Sequence, residues 1–98
     1  MAVNHKLTKV IRGRVVRSFQ ESSGKLVVTF HDGSVLKIRE METNSPPVPA
    51  GAQIKQVEED GTEFRIACED GTNFSLQLTD PGSSVSVRDE NDQIEYVG

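Results

Sequence analysis

Lys25-Leu26-Val27-Val28-Thr29-Phe30-His31-Asp32-Gly33-Ser34-Val35-Leu36-Lys37-Ile38-Arg39 is the stretch that decides the fold. Two runs of alternating apolar and polar residues flank Asp32-Gly33, a strong short-range sign of a β-hairpin. Side chains on a strand alternate between faces, so the loop length follows from the apolar pattern. A three-residue loop at His31-Asp32-Gly33 sets Phe30 opposite Ser34, Val28 opposite Leu36 and Leu26 opposite Ile38, with five apolar side chains on one face. A two-residue loop would oppose Val28 to Lys37 and Leu26 to Arg39 and split the apolar set. The expected turn is therefore type I, with Gly33 in the left-handed position as a G1 bulge.

The same design recurs further along the chain. A shift of 38 positions superposes residues 12–40 on 50–78 without a gap. Asp32-Gly33 falls on Asp70-Gly71, Leu26 on Phe64, Val28 on Ile66, Phe30 on Cys68, Leu36 on Phe74 and Ile38 on Leu76. Few of these pairs are identical, but their apolar character agrees, as a shared backbone demands. An earlier, less regular strand opens each copy, over about 9–19 and 53–57. Gly13 and the Val15-Val16 doublet suggest a bend or bulge there. The organisation expected is one domain: repeat one over about 9–40, a Pro-rich connector over 43–50 that no strand interior would tolerate, repeat two over about 51–78, and a C-terminal hairpin over 84–97. Asp80-Pro81-Gly82 marks a turn, after which Val87 is expected opposite Ile94 and Val85 opposite Tyr96. The fold expected is all-β, with about eight antiparallel strands, no helix, and two similar apolar faces packed on each other as a small sandwich or barrel.

Length and composition bound the rest. With 98 residues, 35% of them hydrophobic, the chain supports one thin core and buries about 60–65% of its extended surface, so few residues are spare for chemistry. One cysteine, Cys68, excludes an internal disulfide. The first residues carry no apolar run of signal-peptide length and nothing reads as a spanning helix, so a cytoplasmic protein with no membrane contact is expected. The net charge of −4 hides a polarity. Residues 1–40 hold eight cations against three carboxylates, and residues 41–98 hold three against twelve. Such an imbalance bears on association and steering.

The outer face of the first hairpin is the leading candidate site. It carries Lys25, Val27, Thr29, Val35, Lys37 and Arg39, and the register sets Lys25 directly against Arg39, a like-charge pair that costs stability. The matching face of repeat two, Glu63, Arg65, Ala67, Asn73, Ser75 and Gln77, reads as solvent-facing. The contrast points to something acidic and partly apolar lying against the first face. That something is either another molecule or the chain's own acidic C-terminal hairpin, since neighbouring segments usually cover such faces. A second set, Lys9, Arg12, Arg14 and Arg17, makes a basic first strand suited to phosphate contacts. Exposed aromatics to stack bases are scarce, however: the core claims Phe30, Phe64 and Phe74 and leaves only Phe19 and Tyr96.

Other chemistry has simpler explanations. His31-Asp32 sits at a turn tip whose counterpart is Glu69-Asp70, and the aspartates are explained by turn chemistry. Cys68 replaces Phe30, a core position, so a buried structural thiol is expected rather than a nucleophile. His5 lies in an N-terminal tail expected to be loose. Asp89-Glu90-Asn91-Asp92 lacks the alternation of a calcium loop, and His5, His31 and Cys68 lack zinc-ligand spacing. Pro46-Pro47-Val48-Pro49 is explained by a stiff linker. The function expected is a non-catalytic protein-interaction or self-associating module, a homodimer through its oppositely charged halves being one form. The alternative is a nucleic-acid-binding β domain using the basic first strand. Neither needs a cofactor or metal.

Overall fold

The computed structural model describes residues 2–22, 24–39, 41–43, 49–79 and 85–98. In chain order the elements are β1 (Ala2–Val3), α1 (His5–Ile11), β2 (Val16–Ser22), β3 (Lys25–Phe30), β4 (Val35–Arg39), β5 (Met41–Thr43), β6 (Ile54–Asp60), β7 (Glu63–Cys68), β8 (Asn73–Leu78), β9 (Val85–Arg88) and β10 (Ile94–Val97). The strands form two antiparallel sheets of five, ordered β10-β9-β4-β3-β2 and β1-β6-β7-β8-β5, packed as a sandwich rather than a closed barrel. The connector residues 44–48 and the Asp80-Pro81-Gly82 turn lie outside the described residues.

Both Asp-Gly hairpins take the three-residue loop that their apolar pattern requires. Phe30 N–H donates to Ser34 O and Gly33 N–H to Phe30 O; Cys68 N–H donates to Thr72 O and Gly71 N–H to Cys68 O. Gly33 and Gly71 both have φ of 89°, the left-handed position where a Cβ would be strained. The aspartate of each turn accepts the N–H two residues on, at 2.9 Å from Ser34 and from Thr72. Leu26, Val28, Phe30, Leu36 and Ile38 of one sheet meet Phe64, Ile66, Phe74 and Leu76 of the other, all essentially sealed from water. Burying each such side chain stabilises the fold by about 1.5–3 kcal/mol. Phe19 and Phe74 meet edge to face, their ring centroids 4.7 Å apart.

The copies join about a local two-fold relation. Gly13 N–H donates to Ile54 O and Ile54 N–H to Arg14 O; at the matching positions Gly51 N–H donates to Val16 O and Val16 N–H to Ala52 O. Val15 bridges Gln53, its own counterpart. Each first strand also carries its irregularity at the same place, between Val16 and Ser18 and between Ile54 and Gln56.

Three expectations need correction. Residues 5–11 form a helix, so the first strand begins at Val16 and not near Lys9. Asn4 caps the helix by accepting from Leu7 N–H at 3.0 Å. Leu7 and Ile11, four apart, are fully buried. Thr8 Oγ1 accepts from Val57 N–H at 2.9 Å, and Asn4 Nδ2 donates to the Tyr96 hydroxyl at 3.1 Å, tying the helix to both sheets. The N-terminal residues thus have a docked place, including His5 at the helix start. The described strands number ten rather than about eight, because the short β1 and β5 extend one sheet. The last hairpin has a different register: Ile94 lies opposite Arg88 and Tyr96 opposite Val87, with a bulge at Glu95. The cause is a three-residue loop over Glu90-Asn91-Asp92, closed by Asp89 N–H donating to Gln93 O. Asp92, with φ of 65°, takes the place that Gly33 and Gly71 hold elsewhere.

Candidate protein-interaction face

The C-terminal hairpin settles beside the first hairpin, not over it: β9 pairs edge to edge with β4, in the register Val35↔Arg88 and Lys37↔Ser86. The outer face of the first hairpin therefore stays uncovered by this segment and grows wider. Across it, cross-strand neighbours make three rows. Ser18, Thr29, Val35, Arg88 and Ile94 form one; Gln20, Val27, Lys37, Ser86 and Val97 the next; Ser22, Lys25 and Arg39 the third. These rows hold four cations and no carboxylate. Lys25, Lys37 and Arg39 are exposed, and Val27 and Val35 are half-buried. Ile94 and Val97 are 57% and 66% exposed, high for large aliphatic groups. Lys25 does stand directly opposite Arg39, at the cross-strand spacing of about 5 Å where like charges repel. At the turn end Asp89, Glu90 and Asp92 border a hollow that they share with Val35, Lys37, Ser86 and Arg88; Asp92 lies 3.7 Å from Arg88, from a well-exposed position where such a pair is worth little.

The opposite sheet presents the reverse. Its outer face carries Glu42, Glu58, Asp60 and Glu63 against Arg65, with Ser75, Gln77 and Asn73 between them. Ala67 on that face is buried. The charge polarity along the sequence thus becomes a polarity between the two broad faces of one sandwich.

The second set of cations does not gather in one place. Lys9 and Arg12 belong to α1 and its C-terminal cap, beside a shallow hollow lined also by His5, Thr8 and Gly13. Arg17 is exposed in the bulged part of β2. Arg14 is engaged within the fold. Its guanidinium donates to both Glu95 carboxylate oxygens at 2.9 Å and to Ser34 Oγ at 2.9 Å, and lies 3.4 Å from Asp32. The Glu95 hydrogen bonds hold the Arg14 pKa above its ordinary value, outweighing partial burial. Desolvation opposes the Asp32 charge, but the Ser34 hydroxyl and N–H, with Arg14, hold its carboxyl below the usual range. This cluster pins the bulge of β10 to the first Asp-Gly turn.

The remaining candidates are structural in placement. Cys68 is buried, and desolvation, with the nearby Asp70 charge, pushes its thiol up and away from the reactive thiolate. Asp32 gives its carboxylate to Ser34 and Arg14 rather than to a catalytic partner. Phe19 packs against the core edge-on, and Tyr96 is half-buried with its hydroxyl engaged by Asn4. Among the described residues no group of three or more His, Cys, Asp or Glu side chains could hold a metal. No described helix is long and apolar enough to cross a membrane.

Sequence reasoning missed Ser86, Arg88, Ile94 and Val97. The signal was present: the three-residue loop argued for the two Asp-Gly turns, applied to Glu90-Asn91-Asp92, sets Ile94 opposite Arg88 and turns both outward. Compared with known protein families, curated proteins and solved structures, the chain matches none, so a functional reading rests on the face itself.

Proposed function

We propose that the protein is a non-catalytic interaction module that docks an acidic, partly apolar partner protein on the outer face of the β10-β9-β4-β3-β2 sheet. The single observation that carries this reading is the face itself: Lys25, Lys37, Arg39 and Arg88 interleaved with Val27, Val35, Ile94 and Val97 across registered rows. A cluster of cations beside exposed aliphatic groups costs the isolated molecule stability and solubility, and a partner bearing carboxylates and apolar groups relieves both costs.

A different partner is favoured over a second copy on two grounds. The basic and acidic faces lie on opposite sides of the sandwich, so pairing one with the other is head-to-tail and open-ended, not a closed dimer. Among the described residues the acidic face also offers no large aliphatic group as exposed as Ile94 and Val97. The nucleic-acid reading has less support, since Arg14 is committed to Glu95 and the aromatic rings are packed.

The test is an NMR titration of the labelled protein with a short poly-glutamate, and separately with a single-stranded oligonucleotide of equal charge, at matched salt. Poly-glutamate is expected to shift amides of β3, β4 and β9, and Lys37→Glu with Arg39→Glu to remove the effect. Shifts confined to α1, or tighter binding of the oligonucleotide than of poly-glutamate, would overturn the proposal.

A further inference from the structure

Within the basic face, β4, β9 and β10 form a trough of about 500 Å³. Lys37 and Arg39 project from β4 on one side, and Ile94 and Val97 from β10 on the other. Ser86 and Arg88 of β9 lie between them. Ser86 is the small residue that leaves the depression, flanked by Lys37 and Val97 in its own row. Asp92 closes the turn end and holds Arg88. The two walls stand two strand spacings apart, about 9.6 Å. That separation seats one extended backbone between them.

The walls differ in chemistry, and that difference selects a ligand pattern. Successive side chains of an extended chain point to opposite sides. A segment lying along β9 therefore sends every second side chain to Lys37 and Arg39 and the intervening ones to Ile94 and Val97. We infer that this trough binds an extended peptide segment in which acidic and aliphatic side chains alternate. The inference rests on the docking face proposed above and narrows its partner to a segment rather than a second folded surface. The floor strand β9 has four residues, which at about 3.3 Å per residue matches a ligand of roughly four to six residues. A helical ligand would place its acidic and aliphatic stripes on a period of about 3.6 residues and meet only one wall per turn.

The experiment compares two capped hexapeptides of identical composition, one alternating Glu and Val, the other three Glu followed by three Val. Affinity is read by fluorescence anisotropy on the intact protein, and contacts by NOEs from the peptide valine methyl groups. The alternating peptide is expected to bind about tenfold more tightly than the block peptide, because both of its patterns are satisfied together. Its valine methyls should show NOEs to Ile94 and Val97. Ile94→Ser with Val97→Ser, both at exposed positions, should remove the preference for the alternating peptide over the block peptide. Equal affinity for the two peptides, with poly-glutamate still shifting β3, β4 and β9, would overturn the trough assignment and leave the face standing. Absence of poly-glutamate binding at that face would sink both.

Discussion

The two outer faces of the sandwich descend from the same strand pattern and differ in almost every exposed residue. At matching positions Lys25 becomes Glu63, Val27 becomes Arg65, Val35 becomes Asn73, Lys37 becomes Ser75 and Arg39 becomes Gln77. The backbone does not change with them: both hairpins share the loop, the left-handed glycine and the bulge position. Repeat two thus shows what this scaffold needs on its outer surface to fold. The residues by which repeat one departs from it are not required by the fold, and the like-charge pair Lys25–Arg39 works against it.

The comparison breaks most completely if the surfaces are exchanged. Lys25→Glu, Lys37→Ser and Arg39→Gln together place repeat-two residues on the repeat-one face. Affinity for acidic ligands is expected to fall by about 100-fold, as three close attractions are removed and one becomes repulsive. Thermal stability should hold or rise, because Lys25 no longer faces Arg39. Calorimetry and a melting curve on the same sample check both halves. A large loss of stability would mean that those cations serve the fold after all.

A smaller effect is expected at Arg14, whose counterpart is Ala52. Arg14→Ala leaves Glu95 without its cation and Asp32 without its ion pair, and should cost about 2 kcal/mol in urea unfolding. Hydrogen exchange should quicken in β10 and stay slow in β6 to β8. The same cluster gives the fold an acid limb. The folded Asp32 carboxyl is held below its ordinary value, so its contribution is complete above the unfolded value of about 4 and is lost as pH falls through the lower folded value. Asp32→Asn should flatten that limb in a plot of stability against pH.

The smallest effect concerns Asp92. A non-glycine residue with φ of 65° stands where both sister turns use glycine. Asp92→Gly should change stability by less than about 1 kcal/mol, since relief of the backbone offsets the added freedom of the unfolded chain. It also removes the carboxylate beside Arg88, whose Nη1 keeps its 3.0 Å hydrogen bond to the residue-92 carbonyl, so poly-glutamate should bind slightly more tightly. Unchanged affinity would show that the Arg88–Asp92 pair is already open in solution.

Most of the architecture was legible because it rests on period-two patterns and two Asp-Gly turns, which are local. What escaped reading depended on distant or weak signals. The helix over 5–11 is short and contains Thr8, Val10 and Ile11, β-branched residues that suggest strand. Only Asn4 and the Leu7/Ile11 spacing marked it, and its stability comes from packing rather than propensity. Arg14 read as a free cation because its partner Glu95 lies 81 positions away. Half of the candidate face was visible as Lys25, Val27, Val35, Lys37 and Arg39. The other half entered only when the third hairpin was given the register of the first two.

The reciprocal hydrogen bonds between residues 13–16 and 51–54 carry a consequence for assembly. Each copy offers the other an identical strip of backbone, so the molecule is arranged as a dimer whose subunits share one chain. Because one chain carries both halves, their union is intramolecular and does not depend on protein concentration. Lengthening the chain between the halves should weaken their union only gradually, while a single change at Val15 or Gln53 alters one copy alone, at the pair that bridges the seam.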